Sequence, residues 1–499
     1  MAPQELILSA CSTDPSSSTS GRQQSTPSIH YHDLLTSTPI QSFKNSASYP
    51  NSLGHVQSQN GQGGGVFAVQ EGKGILNVWA WQKDQMHTKI HLPEKMTCFT
   101  VSPNGLWAVA GSLNGQIYLW EISSGLLLAS FTAHYRSLTS LTFTTDSQIL
   151  ISTSLDSSTH LFLISRLIDP EGDQALSLKP YGTLNDHTLA VRSVGLGKLN
   201  GSMGGRVWTC SDDGTVKMWS LHPPFPLLAT FTLPSSCAPT CLSIDPSERF
   251  FYVSTTQGDV YHIPLFRRKG LNGITSLEDR SSSPLGFEAV GGGGNSSIPI
   301  KIDGGSIIKL KSKITSMVLS LSSTILLIGC EDGSINLYSL PSNQHLRTLN
   351  SHQGPITHLS TMLKPVDLFA SINNNNSNTG GGNKTSILEE YPIMEIKNFE
   401  RTKSSKQNLN LNHQVVIKLP QNNVSSSISS STLLSQLDDL GPKSKKSLIG
   451  GKGNAIEQDQ FESLLAENKR LKSSLEKATK INEKMWNGIV EMKLSNGDQ

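Results

Sequence analysis

For most of its length the chain alternates short apolar runs with turns of Ser, Asn, Gly and Asp. The clearest stretch is VWTCSDDGTVKMWSL, residues 207 to 221. An alternating run meets a tight DDG turn, and a second alternating run ends at Trp219. Period-two alternation in β-branched and aromatic residues around a Gly-containing turn predicts an antiparallel hairpin. Similar endings recur as GILNVWAW (74 to 81), GQIYLWEI (115 to 122), THLFLI (159 to 164), GDVYHIPL (258 to 265) and GSINLYSL (333 to 340). Trp79 and Trp120 are 41 residues apart, Trp120 and Phe162 are 42, and Trp219 and Ile263 are 44. A divergent copy opens the chain as ELILSAC (5 to 11) and IHYHDLLTSTPIQSFK (29 to 44). The seven endings are His32, Trp79, Trp120, Phe162, Trp219, Ile263 and Tyr338.

A unit of about forty residues yields four short strands and cannot bury both faces of its own sheet, so copies must stack around an axis. The period and the Trp ending are those of a WD-repeat blade. The expected fold class is all-β: a seven-bladed WD40 β-propeller with disordered inserts and a C-terminal α-helical coiled coil. Closing the ring removes free edge strands. The first copy lacks an innermost strand, and GPITHLSTML (354 to 363) is expected to supply it from the far end of the chain. The propeller is placed at 1–370, with inserts at about 12–28 and 267–310. SINNNNSNTGGGNK (371 to 384) is of low complexity. Residues 371–455 read as a mostly disordered linker. Within it, KSKK (443 to 446) fits either a nuclear localisation signal or a solvated linker.

The rhythm changes at 456–494. Apolar residues recur at steps of three and four over a little more than four heptads. With Phe461 as a, the a positions are Phe461, Asn468, Leu475, Asn482 and Ile489, and the d positions are Leu464, Leu471, Ala478, Met485 and Met492. Two Asn at a positions give up stability for register and favour a parallel two-stranded coil. Self-association is the expectation. Leu465, Ile481 and Trp486 lie off the seam, which leaves docking on another partner as the alternative.

Composition agrees with many turns: 36% of residues are hydrophobic and 16% charged. A net charge of +2 over 499 residues offers no global grip on nucleic acid or on acidic membrane. The six cysteines form no CxxC pair and sit beside no His cluster, so neither metal nor disulfide framework is expected. MAPQELILSACSTDP carries no basic region ahead of a long apolar core, so no secretory signal is expected. No run reaches the roughly 18 apolar residues of a membrane helix.

His187, Ser211 and Asp213 suggest a hydrolase. The set recurs, however, as His134, Ser154 and Asp156 at blade spacing, whereas a catalytic triad occurs once. The expectation is two structural tetrads, His187–Ser211–Asp213–Trp219 and His134–Ser154–Asp156 with Phe162, and a third set in which His352 meets Ser12 and Asp14 across the closure. No catalytic residue, metal or cofactor is assigned. GQGGG (61 to 65) and GGGG (291 to 294) do not fit a phosphate-binding loop followed by a helix. FRRKG (266 to 270) resembles the FRRG motif of phosphoinositide-binding propellers, with Lys269 interrupting it. That supplies the alternative function, lipid binding.

LNVWAW (76 to 81), LPEKMTCFTVSPNG (92 to 105), IYLWEISSGLLL (117 to 128), AHYRSLTSL (133 to 141) and DHTLAVRSV (186 to 194), with ENKRL and INEKMW in the tail, carry a narrower resemblance. They resemble the fungal family of WD-repeat subunits that process pre-ribosomal RNA, whose animal counterpart is a nuclear WD-repeat protein. The resemblance implies a non-enzymatic scaffold in a nuclear complex that matures the large ribosomal subunit. That complex removes the second internal transcribed spacer and meets late large-subunit precursors and the AAA ATPase midasin. The resemblance also implies a nucleoplasmic and nucleolar location and, for some members, a link to replication licensing. The long inserts depart from the family pattern.

Overall fold

A computed structural model describes residues 4–12, 28–44, 47–58, 63–83, 85–168, 179–197, 205–234, 237–268, 287–289, 299–302, 307–340, 342–350, 352–365, 367–368 and 393–402. These form a ring of seven antiparallel sheets, each a blade with strands a to d from the axis outward. Blades 2 and 3 run in order along the chain: Ser48–Val56, Gly65–Gln70, Ile75–Ala80 and Thr88–His91, then Met96–Val101, Trp107–Ser112, Gln116–Glu121 and Leu127–Thr132. Blade 4 is Leu138–Phe143, Ile149–Ser154, Thr159–Leu163 and Gly182–Leu184, and blade 5 is Val191–Leu196, Arg206–Ser211, Thr215–Ser220 and Leu227–Thr232. Blade 7 is Ile314–Leu319, Ile325–Cys330, Ile335–Ser339 and Gln344–Leu349.

Blade 1 is built from both ends of the chain, as expected. Glu5–Cys11, Ser28–Asp33 and Pro39–Lys44 take positions b, c and d, and Ile356–Leu363 takes position a. The closing pair runs from Glu5↔Leu363 to Cys11↔Ile356, and Lys364 N–H donates to Gln4 O at 2.8 Å. The segment 267–310 is less of an insert than its length suggests. Its Ile308–Lys309 is strand d of blade 6, outside Pro239–Ile244, Phe250–Thr255 and Asp259–Pro264. Its Ile300–Lys301 adds a parallel fifth strand to the edge of blade 5.

Strand b is covered on both faces by its neighbours: Ala108, Val109 and Ala110 are all fully buried, as are Val207, Trp208 and Cys210. Burial on both faces is why these strands read as nearly continuous apolar runs. The inner strands of successive blades touch all the way round. Six of them carry one extra residue near their start: Thr97, Thr139, Arg192, Thr240, Thr315 and Thr357. Such a bulge turns a side chain out of the pleat. Thr97 Oγ1 donates to Leu138 O of the next blade at 3.0 Å, and Thr139 Oγ1 to Val191 O at 2.8 Å. Bulged threonines thus clasp neighbouring blades.

Residues 393–402 fall within the segment expected to be disordered linker, yet they pack on the propeller as an extended strap. Met394 and Phe399 are buried with Leu92, Val101, Ile122 and Leu127. The Phe399 ring stacks on Trp120 at 5.2 Å and 16°. Trp120 Nε1 donates to Glu400 O at 2.8 Å, and Glu400 N–H donates to Gly125 O at 2.9 Å. Gly125 has φ +74, and a Cβ there would lie 2.3 Å from Asn398 O, so only glycine allows both the turn and the strap's approach.

Candidate interaction surface

Antiparallel register decides which hydroxyl meets each ending residue. Trp219 lies opposite Val207, Phe162 opposite Leu150, and His32 opposite Ile7. Two residues further along each b strand stand Thr209, Ser152 and Ser9. These are the hydroxyls that the histidines meet. His187 Nε2 is 2.8 Å from Thr209 Oγ1, His134 Nε2 is 2.8 Å from Ser152 Oγ, and His352 Nε2 is 2.8 Å from Ser9 Oγ. Ser211, Ser154 and Ser12 were the expected partners, and the structure corrects all three. Ser211 Oγ donates to Leu189 O at 2.8 Å, and Ser154 Oγ to Ser137 O at 2.9 Å. They stay off the histidines and brace the loop, each also accepting the backbone N–H of the tetrad aspartate, Asp213 or Asp156, at 3.3 Å. Ser12 uses its backbone N–H on Pro355 O at 3.0 Å, and Asp14 lies outside the described residues.

The aspartates stand where the sequence placed them. His187 Nδ1 is 2.9 Å from Asp213 Oδ2, and His134 Nδ1 is 3.0 Å from Asp156 Oδ2. Trp219 Nε1 donates to Thr209 Oγ1 at 3.0 Å. With a carboxylate that only accepts and an indole that only donates, the proton order follows: Nδ1–H to Asp213, Thr209 O–H to Nε2, Trp219 N–H to Thr209. Burial pushes the Asp213 carboxyl up, but hydrogen bonds from His187 and Thr215 outweigh it and hold it well below the usual range. Asp156 is held low the same way, against burial, by His134 and Ser158. Phe162 has no N–H to offer, and in blade 4 His160 stacks on His134 at 4.3 Å instead. Thr209 is fully buried and already committed to two partners, so its hydroxyl is no accessible nucleophile.

What the tetrads deliver lies one or two residues beyond each histidine. Asp156 Oδ2 accepts Tyr135 N–H at 3.1 Å, and Asp213 Oδ2 accepts Thr188 N–H at 3.3 Å. Tyr135, held this way, is 97% exposed, and Leu189 in the equivalent loop is 52% exposed. Leu113, 57% exposed, joins them, because Gly115 O in its turn accepts Ala133 N–H at 2.9 Å. Arg192 stands nearby with Asp212 at 2.7 Å. Buried networks therefore fix the backbone beneath Tyr135 and Leu189, and a backbone bond ties the Leu113 turn to them, on one face of blades 3 to 5. The sequence reading missed these three, although Tyr135 and Leu189 each follow an assigned histidine closely.

The coiled-coil seam, Phe461, Leu464, Asn468, Leu471, Leu475, Ala478, Asn482, Met485, Ile489 and Met492, lies outside the described residues. Phe266–Arg268 of FRRKG pairs as a strand with Phe287–Ala289, while Lys269 and Gly270 lie outside the described residues. Among the described residues, no group of three or more His, Cys, Asp or Glu is gathered to hold a metal, and no helix is long and apolar enough to cross a membrane.

Known proteins carry the same repeat. The WD domain, G-beta repeat family matches residues 85–121, 125–162 and 178–220. "Pre-rRNA-processing protein IPI3" of Mycosarcoma maydis is 30% identical over 514 aligned positions, covering 87% of each chain. "Pre-rRNA-processing protein crb3/ipi3" of Schizosaccharomyces pombe is 29% identical over 74% of this chain and 80% of its own. "WD repeat-containing protein 18" of Danio rerio is 29% identical over 61% of this chain and 64% of its own. Neither the fold nor these relatives favours the lipid-binding alternative. An alignment that spans nearly the whole chain, over a seven-bladed ring, places this protein in the family of the fungal pre-rRNA-processing protein IPI3 and the animal WD repeat-containing protein 18.

Proposed function

We propose that this chain acts in pre-rRNA processing as a non-enzymatic scaffold subunit of a nuclear complex that matures the large ribosomal subunit. The role in pre-rRNA processing follows the names of its relatives. The scaffold role is supported by one observation: tetrads that brace the exposed Tyr135 and Leu189, with Leu113 beside them, as an apolar rim. Rigid backbone under exposed aromatic and aliphatic anchors suits protein recognition, because little entropy is lost on binding. The tail from Phe461 to Met492 is proposed to pair two such platforms in parallel. Other subunits of the complex, late large-subunit precursors and midasin are the proposed partners, in the nucleoplasm and nucleolus. A link to replication licensing belongs to the same proposal.

The test is replacement of the native protein in a fungal relative by this chain or by Tyr135→Ala/Leu189→Asp. RNA blots should show precursors retaining the second internal transcribed spacer in the variant, with fewer partners in affinity purifications. Normal processing with the variant would refute the rim as the contact. Normal processing without any copy of the protein would refute the role itself.

A further inference from the structure

Charge is distributed unevenly around the apolar rim. One step beyond Met96 and Ser112, the last paired residues at the start of blade 3, Lys95 stands across from Leu113. The Leu113 turn lies against the next loop of the face. A Cβ on Gly115, which has φ +79, would fall 2.0 Å from His134 O and 3.0 Å from Arg136 O, so only glycine permits the approach. Arg136 follows Tyr135, and its carbonyl accepts Ser154 Oγ–H at 3.2 Å. Arg192 follows Leu189 by three residues. Each of the three anchors therefore has a cation close by.

The acids of these loops are committed within the chain. In blades 3 to 5 they are Glu94, Asp156, Asp186, Asp212 and Asp213. Asp156 and Asp213 hold the tetrad histidines and the loop N–H groups, and their side chains are only 10% exposed. Asp186 pairs with Lys217, and Glu94 accepts Tyr118 O–H at 3.0 Å. Asp212 engages Arg192 through Nε and Nη2, which leaves that half-exposed guanidinium with N–H groups to spare. Lys95 and Arg136 are exposed and form no ion pair among the described residues. The charges left for a partner to meet are therefore positive, and complementary charge governs both encounter and choice of partner. An exposed tyrosine beside an arginine also suits a stacked base, but Leu113 and Leu189 offer a base no ring, so a protein chain fits the rim better. Resting on the reading of the rim as a protein contact, we propose that it takes an acidic segment of a partner protein. Large apolar side chains of that segment sit against Leu113, Tyr135 and Leu189, and its carboxylates face Lys95, Arg136 and Arg192.

The experiment pans a phage library of random peptides on the full-length chain, with Tyr135→Ala/Leu189→Ala as the counter-selection, and measures the selected peptides by fluorescence anisotropy. Peptides that depend on the rim should be rich in Asp and Glu set among Leu, Phe, Tyr or Trp. Panning on Lys95→Glu/Arg136→Glu should turn the selection toward Lys and Arg. That variant should bind the original acidic peptides about tenfold or more weakly, because two attractive exposed pairs become repulsive ones. Both side chains lie in solvent, so its melting temperature should match the parent's. Rim-dependent peptides of neutral or basic sequence would overturn the acidic partner and leave the rim as a protein contact. A library with no rim-dependent peptide would overturn both readings. Binding of single-stranded oligouridine that is lost in Tyr135→Ala would assign the rim to RNA and overturn the proposal.

Discussion

Thr209→Val sets the corrected tetrad against the expected one. Valine keeps the shape and removes the hydroxyl, leaving Trp219 Nε1 and His187 Nε2 unpaired in a site with no solvent access. Each stranded polar atom costs about 1–3 kcal/mol, so about 3 kcal/mol is expected in total. Ser211→Ala loses the hydroxyl bond to Leu189 O and the long one accepted from Asp213 N–H at 3.3 Å, both at a loop edge, a net loss of about 1 kcal/mol. At about 2 cal/mol/K of unfolding entropy per residue, a ring of this size moves by about 1.5 °C per kcal/mol. Thr209→Val should therefore lower the melting temperature by about 4–5 °C and Ser211→Ala by about 1–2 °C. Differential scanning calorimetry measures both, at one scan rate because unfolding of a large ring is rarely two-state. A Ser211→Ala loss equal to or larger than that of Thr209→Val would refute the register argument. The same comparison in blade 4, Ser152→Ala against Ser154→Ala, should keep its order with a smaller gap, because Phe162 has no N–H to strand.

Phe399→Ala should release the strap: the ring loses its stack on Trp120, and limited proteolysis should gain cuts within 393–402 that the parent resists. Unchanged protection would show that the bonds of Glu400 to Gly125 O and to the Trp120 indole suffice. Asp213 and Asp156 sit below their unfolded pKa, so their stabilisation is complete above the usual carboxylate range near 4 and is lost as pH falls through the depressed folded values. Asp213→Asn should flatten the acid limb of a stability–pH curve, and an unchanged limb would contradict the pairing with His187. His352 is held neutral, its pKa pushed down to about 3 by burial and then by His30 and His32. The unfolded chain takes up that proton below about 6.5, so stability should decline as pH falls from there toward 3, and His352→Gln should shallow the slope between pH 6.5 and 4.5.

The ring was legible in the sequence because each blade repeats its ending, and all seven ending residues occupy the same register against their b strands. Ring closure was legible because the first copy visibly lacked a strand. The hydroxyl of each tetrad was not. Thr209 and Ser211 differ by two positions, so they share a strand face, and periodicity alone cannot separate them. Only the cross-strand pairing of Trp219 with Val207 places Thr209 under the indole. The strap was hidden for a different reason. IMEIKNFE, residues 393 to 400, looks like a short apolar run inside a polar segment. Its seat exists because blade 3 has Ala110 where blade 5 has Thr209, which leaves the Trp120 indole N–H to a carbonyl.

Blade 1 also sets a timetable for synthesis. The Glu5–Cys11 strand leaves the ribosome ahead of the other blades, but its inner neighbour Ile356–Leu363 emerges only after some 350 further residues. At 5–20 residues per second, that edge waits on the order of tens of seconds with its N–H and C=O groups unpaired. A nascent ring is therefore an open arc of blades with an adhesive strand at each end, which invites pairing with a neighbouring chain. Cells that make this protein should need a chaperone to shield the amino-terminal strand until translation has passed residue 363, and a ribosome stalled earlier should yield aggregates rather than a smaller propeller.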